Sequence, residues 1–130
     1  MKVPYGFLAL LILLSAFATS AEERPTGQEE YLRYCSACHG EAADGKGPVA
    51  NVLKPAPPPL TALHARYGNP LSTKLASYVS GTTMPRAHGT SDMPVWGTIF
   101  REITDDDAEA SSILWRIVRY LDAIQATHQP

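Results

Sequence analysis

Cys35-Ser36-Ala37-Cys38-His39 is the stretch on which the reading of this chain turns. Two cysteines three positions apart project from one face of a helix. Their sulfurs can therefore form thioethers with the two vinyl groups of a single porphyrin, while the adjoining histidine comes beneath the ring as an iron ligand. Cys-x-x-Cys-His is the spacing of covalent haem attachment. Other chemistries explain less of it. A thioredoxin-like dithiol belongs beside a strand–helix–strand unit, and no such alternation is visible. A structural zinc needs four tetrahedral ligands, and His64, His88 and His128 offer no paired-histidine spacing to complete Cys35, Cys38 and His39. A disulfide between the two cysteines of the chain leaves His39 without a role.

Upstream of the motif, Met1 and Lys2 precede an apolar stretch from Val3 to Ala18, and small residues follow at Ala16, Ala18, Thr19, Ser20 and Ala21. This is the pattern of a secretory signal peptide, residues 1–21, cleaved after Ala21 or, as a second choice, after Ala18. The alternative is an uncleaved anchor, for which the run is short against a hydrocarbon core of roughly 30 Å. Export to the periplasm agrees with thioether haem chemistry, and membrane association is expected only through an uncleaved leader or a membrane complex. Residues 22–130 then form one domain with one core.

Eleven prolines and nine glycines place long, turn-rich segments between helices. Pro55-Ala56-Pro57-Pro58-Pro59 reads as a stiff extended strap. The elements themselves read as all-α. Thr26-Gly27-Gln28-Glu29 is a capping box opening a helix through Tyr31, Leu32, Tyr34, Cys35 and Cys38, with Gly40 to end it. A short helix runs from Thr61 to Tyr67 and stops at Gly68. A third takes Asn69 as cap and Pro70 in its first turn, carries Leu71, Leu75, Tyr78 and Val79, and ends at Gly81. The longest opens on Thr104-Asp105-Asp106-Asp107 and repeats Ile113, Ile117, Leu121 and Ile124 at helical spacing.

With the motif near the start of the mature chain and a long helix at its end, the sequence resembles the class I c-type cytochromes, small monohaem electron carriers, over nearly all of residues 22–130. The resemblance implies a cytochrome c-like single domain in which N- and C-terminal helices cross around one covalently bound haem c. In this chain Gly27 and Tyr31 would meet the last helix near Tyr120 and Leu121. It also implies that Asp44-Gly45-Lys46-Gly47-Pro48 is the glycine-rich loop whose proline carbonyl, that of Pro48, accepts a hydrogen bond from His39 and tunes the iron.

For the sixth iron ligand the resemblance implies a methionine on a later loop. Met84 and Met93 are each followed by proline, and a soft, neutral thioether raises the reduction potential relative to a second imidazole. Met93-Pro94-Val95-Trp96-Gly97 resembles the family's ligand loop and would bring Trp96 to wall the pocket. Ser80-Gly81-Thr82-Thr83-Met84-Pro85 resembles it too, so Met84 stays the runner-up, with His88 a minor candidate.

Charge is uneven along the chain. Residues 45–101 hold six Lys or Arg (Lys46, Lys54, Arg66, Lys74, Arg86, Arg101) against one acid, Asp92, whereas residues 22–44 and 102–130 each hold six acids and two Arg. Around an exposed haem edge this would make a positive rim that steers an acidic redox partner. No basic domain or base-stacking module supports nucleic-acid binding. No nucleophile–base pair or phosphate loop points to other catalysis. The expected function is thus outer-sphere transfer of single electrons between redox partners, not catalysis on a substrate. Two further classes stay open: a dedicated haem subunit of a larger oxidoreductase, and a ligand-binding haem sensor or enzyme with an open sixth position.

Overall fold

Thr26 opens the first helix through a reciprocal pair of bonds. Its Oγ1 accepts from Glu29 N at 3.3 Å, and Glu29 Oε2 accepts from Thr26 N at 2.6 Å, so two of the free amides at the helix start are satisfied. The computed structural model describes residues 26–68, 71–82 and 93–125. The signal segment, Asn69, Pro70, Met84, Arg86, His88, Asp92 and His128 lie outside them. The described residues form helices α1 Gly27–Tyr34, α2 Ser36–His39, α3 Leu63–Tyr67, α4 Ser72–Ser80, α5 Trp96–Thr104 and α6 Asp107–Gln125, with one 3₁₀ turn at Ala50–Val52 and no strand among them. The all-α reading holds.

The helix leading to the Cys-x-x-Cys-His motif is divided. Cys35 is stretched to φ −116° within the right-handed helical region between α1 and α2, and the Ser36 hydroxyl donates to Leu32 O at 2.6 Å, a side-chain bond to the backbone that competes with helix geometry. Main-chain bonds nonetheless carry the turn across the break, from Cys35 N to Tyr31 O at 2.8 Å and from His39 N to Cys35 O at 2.9 Å. Gly40 ends α2 at φ 80°. Further along, α3 is shorter than expected because Thr61 and Ala62 form a turn, and Gly81 stops α4 in the left-handed region.

Two boundaries near the C-terminus differ from the sequence reading. Trp96–Thr104 is a helix in its own right, beginning inside the Met93–Gly97 stretch that resembles a ligand loop and continuing through residues given no element; Trp96, Ile99, Phe100 and Ile103 carry the helical repeat. Gly97 sits inside it because α5 closes on the end of α4: a Cβ there would lie 2.8 Å from Ser80 O. The last helix consequently starts at Asp107, with its cap at Asp106 rather than at Thr104. Asp105 turns the chain at φ 51°, Thr104 Oγ1 donates back to Phe100 O at 2.7 Å, and Asp106 Oδ1 is the cap, accepting from Ala108 N at 2.8 Å and Glu109 N at 3.3 Å.

α6 is the axis of the fold, packing against α1, α4 and α5. Against α1 the approach is close. A Cβ on Gly27 would sit 2.1 Å from Arg116 O and 3.0 Å from Tyr120 Cβ, and the rings of Tyr31 and Tyr120 lie 5.4 Å apart. The expected meeting of Gly27 and Tyr31 with Tyr120 is therefore present. Tyr31, Leu71, Phe100, Ile117 and Val118 are the largest fully enclosed side chains. The same interface encloses an ion pair: Glu30, 3 % exposed, takes Arg116 Nη2 at 2.6 Å and Nε at 3.0 Å, and Arg116 also reaches Glu109 at 2.7 Å and Ser112 at 2.6 Å.

Candidate haem-attachment site

The motif occupies the junction residue Cys35 and all of α2, and the following loop folds straight back onto it. The carbonyls of a helix's last turn have no partners within the helix; here loop amides take them. Gly45 N donates to His39 O at 2.8 Å, Gly47 N to Cys38 O at 3.2 Å and Val49 N to Ala37 O at 3.1 Å. Gly47 makes that possible, since a Cβ in its place would lie 2.3 Å from Ala37 O and 2.6 Å from the Cys38 carbonyl carbon. On the other side Tyr31, enclosed in the core, donates its hydroxyl to Gly40 O at 2.7 Å. Burial raises the Tyr31 pKa well above its ordinary value, so the phenol stays a donor.

Cys35 and Cys38 are free thiols one helical turn apart. Burial, with the neighbouring Cys38 adding to it, pushes the Cys35 thiol up to about 12. Redox dithiols and nucleophilic cysteines run the other way, toward depressed values. His39 is half-buried, and its Nδ1 lies 3.2 Å from Pro58 O. A carbonyl can only accept, so Nδ1 carries the proton and the neutral ring presents its lone pair at Nε2. Burial lowers the His39 pKa, with the bond to Pro58 working in the opposite direction, and the neutral imidazole is the form that binds iron.

The acceptor is not the one expected. Pro48 is exposed, and Pro58 stands at the ring instead. The reason lies in the two glycines of the loop. Gly47 presses residues 47–49 against Ala37 and Cys38, whereas Gly45, at φ 81°, lets the proline strap pass on the His39 side; a Cβ there would lie 2.6 Å from Pro57 O. Leu60 N then donates to Ala43 O at 2.7 Å, securing the strap beyond its last proline.

Trp96 is brought to the motif's helix. Its ring lies 5.5 Å from that of Tyr34, the residue before Cys35, and stacks on Phe100 at 5.4 Å. Met93 is 38 % exposed just ahead of α5. Val95 lies against Gly81, its Cγ1 2.5 Å from where a Cβ there would be. Met84 and His88 lie outside the described residues. His64 is engaged elsewhere, its Nε2 2.9 Å from Asp122 Oδ1. Among the described residues no group of three or more His, Cys, Asp or Glu side chains is gathered as around a bare metal ion. None of these helices is long and apolar enough to cross a membrane.

Two residues that shape the site carried no local signal. Pro58 is one of several equivalent prolines in the strap, and which carbonyl faces His39 depends on the loop's path. Gln125, 2 % exposed, reads as a polar residue at the end of an amphipathic helix. Compared with known proteins, the chain matches no family model, no curated protein and no solved structure, so function has to be argued from the site itself.

Proposed function

We propose that this protein is an exported monohaem c-type cytochrome that carries single electrons between redox partners. The observation that carries the reading is the approach of His39 Nδ1 to Pro58 O at 3.2 Å, from which the tautomer of the ring follows. Within Cys-x-x-Cys-His, the bond to Pro58 O leaves Nε2 as the free lone pair beside two reduced thiols on one helical turn. That donor set fits a covalently attached haem. Cys35 and Cys38 would be its anchors, His39 its proximal ligand and Met93 its second axial ligand, with Met84 as runner-up. When bound, the haem supplies the one-electron Fe(III)/Fe(II) couple.

The chain's own residues do the rest. Pro58 holds the His39 proton at Nδ1 and raises the basicity of the ring. Loop amides from Gly45 to Val49 fix the carbonyls around the motif, so the ligand's backbone is restrained. Trp96, Tyr34 and Phe100 form an aromatic wall beside the anchors. Lys46, Lys54, Arg66, Lys74 and Arg101 are exposed, which suits an acidic partner surface.

The test is the optical spectrum of the purified protein in both oxidation states, with and without carbon monoxide. A low-spin spectrum, the far-red band of sulfur bound to ferric haem and no response of the reduced form to carbon monoxide are the expected results. Met93→Ala should abolish the far-red band while Met84→Ala keeps it; the reverse would move the ligand to Met84. A high-spin spectrum that shifts with carbon monoxide would replace the carrier reading by an open-site sensor or enzyme.

A further inference from the structure

The geometry points to Gln125 as a positioning residue for the His39–Pro58 hydrogen bond: its side-chain amide ties the proline strap to α6 and thereby sets the electron-donating strength of His39. This rests on the reading of His39 as an iron ligand.

Prolines donate no main-chain hydrogen bonds, so the strap cannot place itself through amides at Pro57, Pro58 or Pro59. It is stiff, and its position must come from its flanks. On one side Gly45 packs against the Pro57 carbonyl. On the other, Leu60 N is held by Ala43 O at 2.7 Å, and Gln125 takes the two groups that flank the turn beyond it, the Leu60 carbonyl and the Leu63 amide. Gln125 Oε1 accepts from Leu63 N at 2.7 Å, and Nε2 donates to Leu60 O and to Leu121 O, the latter at 2.9 Å. All three polar bonds come from one side chain in the core, 62 and 65 positions from Leu63 and Leu60, which follow the strap. Leu60 is two residues from Pro58, so a stiff strap transmits a displacement at Leu60 to the carbonyl facing His39. Removing the amide strands Leu63 N–H and Leu60 O, and the strap has to shift to satisfy them. A weaker bond at Nδ1 makes His39 a poorer electron donor, which favours ferrous iron and moves the potential upward.

The experiment compares the full-length protein as exported with Gln125→Leu and with Val118→Ala, a core change on the same helix that touches no strap hydrogen bond. The readouts are the reduction potential and the His39 Nδ1–H resonance of the reduced, 15N-histidine-labelled protein. Gln125→Leu should shift the potential to more positive values and move the resonance upfield, while Val118→Ala lowers the melting temperature and moves neither. An unchanged potential and resonance in Gln125→Leu, or equal shifts in Val118→Ala, would overturn the assignment. If Gln125→Leu does not fold, Gln125→Glu, which keeps the acceptor for Leu63 N, carries the same expectation and the same contrary result. If the wild-type chain carries no haem, the proposed function fails, and the His39 resonance of the haem-free protein alone decides whether Gln125 sets the bond.

Discussion

Gly47 shows how closely a single residue can be tied to the motif. Its missing side chain lets the loop lie on the Ala37 and Cys38 backbone, where a Cβ would meet three atoms at 2.3 to 2.6 Å. Backbone cannot swing aside as a flexible side chain can, so Gly47→Ala should cost about 3 kcal/mol and disturb haem uptake. Gly68→Ala is the control: it has nothing within 4 Å and only its φ of +83° to oppose it, which costs roughly 1–2 kcal/mol. Denaturant midpoints of the two variants test this, and equal losses would show that the loop yields. Part of the placement at this scale was readable: spacing puts Cys35, Cys38 and His39 on one helical turn, and the structure has them there. Pro58 was not readable as the partner of His39, because every carbonyl in a proline strap looks alike until the path of the loop selects one.

Among the elements, the pairing of α1 with α6 is the contact that organises the rest, and it encloses a charge. Glu30 is covered by Arg116 in a forked arrangement, and a carboxylate at 3 % exposure cannot be rehydrated when its partner is removed. Arg116→Leu should therefore destabilise by about 3–5 kcal/mol. Glu30→Leu combined with Arg116→Leu should recover most of that loss, since no uncompensated charge then remains. Additive losses in the double variant would mean that Arg116 acts through packing alone. The capping box at Thr26, the stop at Gly81 and the heptad-like repeat of α6 were legible because each is local. α5 was not: Met93-Pro94 and Gly97 look like loop, and the helix at Trp96 depends on Gly97 packing against Ser80, a contact set by tertiary structure. The same displacement moved the cap of α6 from Thr104 to Asp106, since Thr104 is the last residue of α5.

At the scale of the molecule, an all-α chain was read from helical periodicity and the absence of alternating strand patterns, and the structure agrees. The enclosure of polar groups was less visible. Glu30 and Gln125 are core residues whose partners lie far along the chain, for which a single sequence carries no signal, and Tyr31 bonds Gly40 O across the end of the motif. Together they join the motif, the strap and α6, so the site belongs to the fold as a whole. The central claim is that Cys35 and Cys38 anchor one haem, and the most direct measurement is the intact mass of the exported chain after acid denaturation, paired with alkylation of its thiols. A mass raised by one haem with neither cysteine alkylated is the predicted result. A chain at its unmodified mass, with both Cys35 and Cys38 open to alkylation, would contradict it.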